Sequence, residues 1–186
     1  MFAKENMKKQ KIIWDRLYEK GLTWKKISKL EHNLTNKLIL ELGVGNGKTL
    51  KSILNQSPKK VIAIDISKEA IKSIKMRIKI LSLKIVDFLK LNTENKFDVI
   101  VCYYFLNNFN KKQRKEAVEK MKKLLNKNGV ILFEDFAVGD FRQKGREIEE
   151  NTVEKQNRII CHFFQKKEIE EMFKDFDIKI NRLNKQ

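Results

Sequence analysis

The sequence of 186 residues is poor in the residues that cross-link, break or punctuate a chain: two cysteines, one proline (Pro58), two histidines and seven glycines. Two cysteines, Cys102 and Cys161, exclude a disulfide-stapled scaffold, and no paired Cys/His spacing points to a metal site. No apolar run approaches the roughly 18 residues that a membrane-spanning helix needs. The early charges Lys4, Glu5, Lys8 and Lys9 argue against a signal peptide, so the expectation is a soluble, cytoplasmic protein without a membrane partner. No Pro-rich or Gly/Ser-rich linker divides the chain, which predicts a single domain over residues 1–186. What is present suffices for a core: 41% hydrophobic residues and twelve phenylalanines exclude intrinsic disorder.

Charge is the most visible excess. Forty-one basic against 24 acidic residues leave a formal charge of +17. The basic residues are 34 Lys and only 7 Arg, beside 21 Ile and 16 Asn. That joint excess reads as compositional bias, because phosphate-recognising surfaces favour the planar fork of Arg. The excess falls on three stretches, with nine basic and three acidic residues over 1–30, seven and two over 68–90, and eight and two over 111–127. Residues 140–171 hold seven basic and eight acidic residues. Nucleic acid therefore stays a secondary expectation.

The hydrophobic pattern alternates. Residues 37–42, 61–64, 83–86, 97–101 and 130–133 read as buried strands. Helices are predicted over 48–56, from Ser67 through Ile71, Ile74, Ile78 and Leu81, over 111–126 closed by Asn128-Gly129, and over 166–174. A last strand is predicted over Asp177 to Leu183. Strands alternating with helices predict an α/β fold, a doubly wound and mostly parallel sheet with helices on both faces. Ligands bind such sheets at the carboxyl ends of the strands.

That is where Leu40-Glu41-Leu42-Gly43-Val44-Gly45-Asn46-Gly47-Lys48-Thr49 falls. Alternate glycines allow a sharp turn and close approach to a ligand. A phosphate-binding P-loop needs four residues between its first Gly and Gly-Lys-Thr, and here there are three. A dinucleotide-binding G-x-G-x-x-G would need glycine at position 48, which is Lys. A dinucleotide oxidoreductase and a non-catalytic binding protein on the same scaffold remain as alternatives.

The segment Glu41 to Gly47 resembles the first motif, E/D-x-G-x-G-x-G, of the class I S-adenosylmethionine-dependent methyltransferases. Further similarity follows in order over residues 37–136: Asp65 closes the second strand, Asp87-Phe88 follows the third, Lys96 to Cys102 matches the fourth and Leu124 to Phe133 the fifth. The resemblance implies S-adenosylmethionine as cofactor. It implies Glu41, Gly43, Gly45, Gly47, Asp65, Ile66, Asp87, Phe88 and Cys102 at the cofactor site, with Asp65 on the ribose hydroxyls and Asp87 near the adenine amine. A carboxylate at Glu41 suits the cofactor's ammonium.

Methyl transfer from a sulfonium is an in-line displacement in which the protein chiefly aligns the acceptor and excludes water. Candidate acceptor-side residues are Trp14 and Tyr18, in an amino-terminal stretch (1–30, including Trp24) similar to the cofactor-covering leader of small class I enzymes, and Asn107 and Arg142. His162 is the candidate base in a lid over 137–186 that also carries Arg146 and Arg158. The Asn/Asp-Pro-Pro-Tyr/Phe motif of amino-methylating enzymes is missing after the fourth strand. The lid spacing is similar both to tRNA cytosine-N3 methyltransferases and to small-molecule enzymes. The expected function is methyl transfer to a small-molecule acceptor, with RNA, above all tRNA, as the alternative. The oligomeric state stays open. The family's final antiparallel hairpin is expected to be reduced, or replaced in part by a strand over 158–164.

Overall fold

The computed structural model describes residues 2–21, 30–76 and 78–179. Five parallel strands form the main sheet: β1 (Leu38–Leu42), β2 (Lys60–Asp65), β3 (Leu81–Ile85), β4 (Phe97–Tyr103) and β5 (Leu125–Glu134), in the order β3-β2-β1-β4-β5. The order reverses between β1 and β4, which opens a crevice at their carboxyl ends. Among the described residues, five helices accompany the strands: α1 (Phe2–Glu19), α2 (Lys48–Leu54), α3 (Lys68–Ser73), α4 (Lys111–Leu124) and α5 (Lys166–Met172).

Strand periodicity sorts the core into two layers. Leu40, Leu42, Ile62, Ile64, Ile100 and Cys102 join Ala117, Val118, Met121 and Leu124 of α4 on one face. Ile39, Val61, Ala63, Val99 and Val101 join Leu50 and Ile53 of α2 on the other. Helices thus cover both faces, as the near-continuous apolar strands require.

Three element boundaries differ from the sequence pattern. The helix after Ser67 stops at Ser73, and Ile74 is already extended (φ −82, ψ 105). Ile74 instead packs against the glycine turn, where a Cβ on Gly47 would stand 3.3 Å from its Cγ1. Ile78 is therefore exposed and Leu81 opens β3 rather than ending a helix. Tertiary packing outweighed a helical spacing of apolar residues. At the other correction, α4 ends at Leu124, and Leu125 pairs with Phe97 before Val130 pairs with Val99. Residues 126–129 bulge between them, with Asn128 at φ 64. Finally, residues 177–179 have no regular structure, and Trp24 and 180–183 lie outside the described residues.

A second, antiparallel sheet follows β5: β6 (Arg146–Glu149), β7 (Thr152–Glu154) and β8 (Ile160–His162). The strand expected over 158–164 thus exists, but it pairs with β7 instead of extending the main sheet. Phe164 links the two sheets by accepting from Val138 N (3.0 Å) and donating its N–H to Phe136 O (2.7 Å). Buried Arg114 of α4 clamps this layer. Its guanidinium donates to Phe109 O (2.7 Å) and pairs with Glu149 (3.6 Å) and Glu168 (3.4 Å).

Candidate active site

The turn from β1 into α2 is built by left-handed glycines. Gly43 has φ 66, and a Cβ there would lie 2.8 Å from Phe105 Cδ2. Gly47 has φ 76 and caps α2. Val44 N donates to Ile64 O at 3.0 Å, and Gly47 N closes the turn on Val44 O at 2.9 Å. Asp65, ending β2, holds this turn from the side: its Oδ2 accepts from Gly45 N (2.9 Å) and its Oδ1 from Ser67 N (2.8 Å). Burial pushes its carboxyl up, and the N–H groups of Ser67, Gly45 and Ile66 only partly offset that.

Glu41 sits in β1 beside Ala63 and Val101, 4% exposed, with Oε2 lacking any hydrogen-bond partner. Burial, and then the charge of Asp65, push its carboxyl up to about 8. A buried acid next to a second acid is costly unless a cation joins it.

The third strand's acid has a local duty. Asp87 Oδ1 accepts from Leu89 N (3.1 Å) at the start of the 3-10 turn 88–90, and its Oδ2 faces Lys90 Nζ at 3.4 Å. Phe88 is buried edge-on against Phe105, with centroids 5.9 Å apart. Cys102 is fully buried in the core, and burial, followed by the charge of Asp135, holds its thiol well above the usual range. Ile66, half-buried, lies between Asp65 and the start of α3.

Across the crevice, Tyr104 follows β4 with φ 51. Its hydroxyl donates to Glu134 Oε1, its N–H donates to Glu134 O (2.7 Å), and its ring packs at a tilt of 45° against Phe136, with centroids 5.0 Å apart. Asp135, at the carboxyl end of the β5 segment, accepts from Asn107 N (3.0 Å) and Phe136 N (2.9 Å). Burial pushes its carboxyl up to about 8, those two N–H groups oppose the shift, and Glu134 adds to it. Asn107 is buried, with Oδ1 lacking a partner. Arg142 lies over Phe136 (4.6 Å) and Phe141 (4.7 Å) and holds Asp140 at 2.7 and 2.9 Å.

Asn107 and Arg142 thus converge on Asp135 and Phe136. His162 takes another place. It is 2% exposed, with Nδ1 on Thr152 Oγ1 (2.7 Å) and Nε2 on Glu168 Oε2 (2.8 Å), so both ring nitrogens are engaged. Trp14 and Tyr18 form a ring pair on α1, with centroids 6.2 Å apart. Next to them Asp15 accepts from Ser67 Oγ (2.7 Å), which docks α1 beside Asp65. Sequence reasoning passed over Asp15, Tyr104 and Glu134 as site residues. Asp135 carried one signal, an acid directly after the fifth strand.

Residues 40–131 match a family model described as a methyltransferase domain. That segment carries a methyltransferase domain, and its fold is that of the class I methyltransferases. The tRNA N(3)-methylcytidine methyltransferase trm140 of Schizosaccharomyces pombe is 27% identical, over 84% of this chain and 57% of its own length. An uncharacterised methyltransferase of Anoxybacillus flavithermus is 32% identical, over 54% of this chain and 47% of its own. The chain thus spans about half the length of these curated relatives. Among solved structures, an S-adenosylmethionine-dependent methyltransferase from Clostridium acetobutylicum superposes with a TM-score of 0.62 at 19% identity, covering 90% of this chain and 86% of that one. The site fits S-adenosylmethionine: an orphaned buried acid for an ammonium, beside a turn whose Gly43 and Gly47 sit too close to Phe105 and Ile74 to carry a Cβ.

Proposed function

We propose that the chain transfers a methyl group from S-adenosylmethionine to an acceptor held against Tyr104, Phe136 and Arg142. The observation that carries this is Glu41, buried, partnerless at Oε2 and adjacent to the glycine turn and Asp65. When bound, the cofactor supplies an electrophilic methyl on a sulfonium. Glu41 receives the ammonium. Gly43, Gly45 and Gly47 let the backbone approach, and Asp65, each oxygen with a lone pair to spare, accepts the ribose hydroxyls. Asp87, Ile66 and Phe88 bound the adenine side, with Cys102 as wall packing behind it.

On the acceptor side, Tyr104 and Phe136 offer an aromatic wall, with the Arg142 cation over Phe136. Asp135, rather than His162, is the group that takes or orients the acceptor's proton, because a carboxyl near 8 is matched to neutral pH. The acceptor is a small planar molecule or a base of RNA. The S. pombe relative, a tRNA methyltransferase that aligns with 84% of this chain, favours RNA.

Thermal shift tests the cofactor: S-adenosylhomocysteine raises the melting temperature, NAD does not, and Asp65→Ala removes the shift. A shift with NAD alone overturns the reading. Labelled-methyl transfer into fractionated RNA, protein and small molecules then identifies the acceptor.

A further inference from the structure

A groove of about 550 Å3 lies outside the cofactor crevice, between α1 and the small antiparallel sheet. One wall is a single helical stripe, Lys9, Ile12, Ile13 and Arg16, at spacings of three and four residues. The other carries Arg146 and Ile148 of β6, Glu154 of β7, Ile160 of β8 and Arg158 of the β7–β8 turn. Gln10 pins the walls together by donating Nε2–H to Arg158 O at 3.0 Å.

From this geometry we infer that the groove binds the sugar-phosphate backbone of RNA, with the acceptor base entering the site described above. The inference deepens the methyl-transfer reading by naming the molecule that carries the acceptor. Four observations support it. Among the described lining residues, Lys9, Arg16, Arg146 and Arg158 outnumber the acid Glu154, which holds both Arg146 (2.6 Å) and Arg158 (3.3 Å). Arg146 and Arg158 keep 72% of their side-chain surface exposed, so further guanidinium donors face solvent. Three of the chain's seven arginines gather here while its lysines scatter, and guanidinium forks suit phosphate oxygens.

The fourth observation is shape. Ile12 (51% exposed) and Ile148 (44%) give the groove an apolar rim, suited to sugar and base faces and of no use to a simple inorganic anion. The small sheet then connects the groove to the acceptor site. Arg146, Glu154 and Ile160 pair across one face of it, and Val153 and Cys161 pair across the other, where they pack with Phe163 and Phe136. A strand lying along the groove thus rests on the sheet whose reverse side backs Phe136.

The test uses the full chain and end-labelled bulk tRNA, titrated by fluorescence anisotropy at several KCl concentrations. The affinity of the wild type falls steeply with salt. In Arg146→Ala/Arg158→Ala it drops about tenfold at low salt, and the slope of log K against log salt shrinks by about 1–2, roughly one per lost phosphate contact. Lys9→Ala/Arg16→Ala, on the opposite wall, repeats the loss without touching the small sheet. Lys72→Ala/Lys79→Ala, on another surface, leaves binding unchanged. Equal affinities for all four proteins overturn the proposal, as does an equal loss in the Lys72/Lys79 variant. So does loss of binding to phosphatidylserine vesicles with tRNA binding intact. The S-adenosylhomocysteine melting shift, read on the same samples, separates the two hypotheses: its absence rejects methyl transfer, and its persistence without tRNA binding rejects only the groove.

Discussion

At the scale of single residues, two positions carry most of the argument. Gly43 combines φ 66 with a phenyl ring where its Cβ would stand, and that ring is itself held by Phe88 and Phe109. Gly43→Ala should cost about 1–3 kcal/mol of stability from backbone strain alone. Urea unfolding measures that cost, and S-adenosylhomocysteine should no longer raise the melting temperature. Asp135 is tested by its pH dependence. A base whose carboxyl sits at about 8 makes methyl transfer rise with pH up to that value. Asp135→Asn should lower the rate by about 10²-fold and flatten the profile, while cofactor binding persists. An unchanged profile removes Asp135 from the proton-handling role.

At the scale of elements, the chain's helices and strands were legible where burial is periodic, and less so where a neighbour decides. The five parallel strands follow from runs such as Val61 to Ile64, because a strand covered on both faces must be apolar throughout. The early end of α3 was not legible, since Ile74 fits a helical stripe equally well and only its contact with Gly47 chooses. The small sheet hangs on Arg114, which joins α4 to Glu149 of β6 and to Glu168 of α5, and Glu168 in turn holds His162. Arg114→Ala removes the cation shared by two partly exposed carboxylates and the donor to Phe109 O, and should cost about 1–3 kcal/mol. Arg114→Lys should recover little of it, because one ammonium cannot span Phe109 O and both acids. Urea titrations of the two variants check both statements.

At the scale of the molecule, the raised acids set how stability follows pH. Glu41 and Asp135 titrate at about 8 when folded, far above the ordinary carboxylate range of the unfolded chain. Between those limits the native state holds more protons than the unfolded one, so stability falls as pH rises from about 5 to 8. Glu168 works in the opposite sense: burial raises its carboxyl, but His162 and Arg114 more than compensate and leave it lowered. Its contribution is present above the ordinary range and disappears as pH falls through the folded value. A melting temperature that declines from pH 5 to 8 is the expected outcome, with a shallower decline in Glu41→Gln and in Asp135→Asn. A flat or rising curve in the wild type contradicts it.

The sequence by itself determined the fold class, the glycine turn and the acids around it, because these depend on local spacing along strands and turns. It also supported the family resemblance, through motifs that each lie within one strand–turn–helix unit. Only the tertiary structure decided what lines the proposed acceptor site, engaging both nitrogens of His162 and gathering Tyr104, Asp135 and Arg142 from separate segments. It also changed the meaning of the charge. Counted along the chain, residues 140–171 are nearly neutral, but folding sets Arg146 and Arg158 opposite Lys9 and Arg16 and turns most of the acids elsewhere. Electrostatic potential depends on distances in space, and sequence order does not carry those distances.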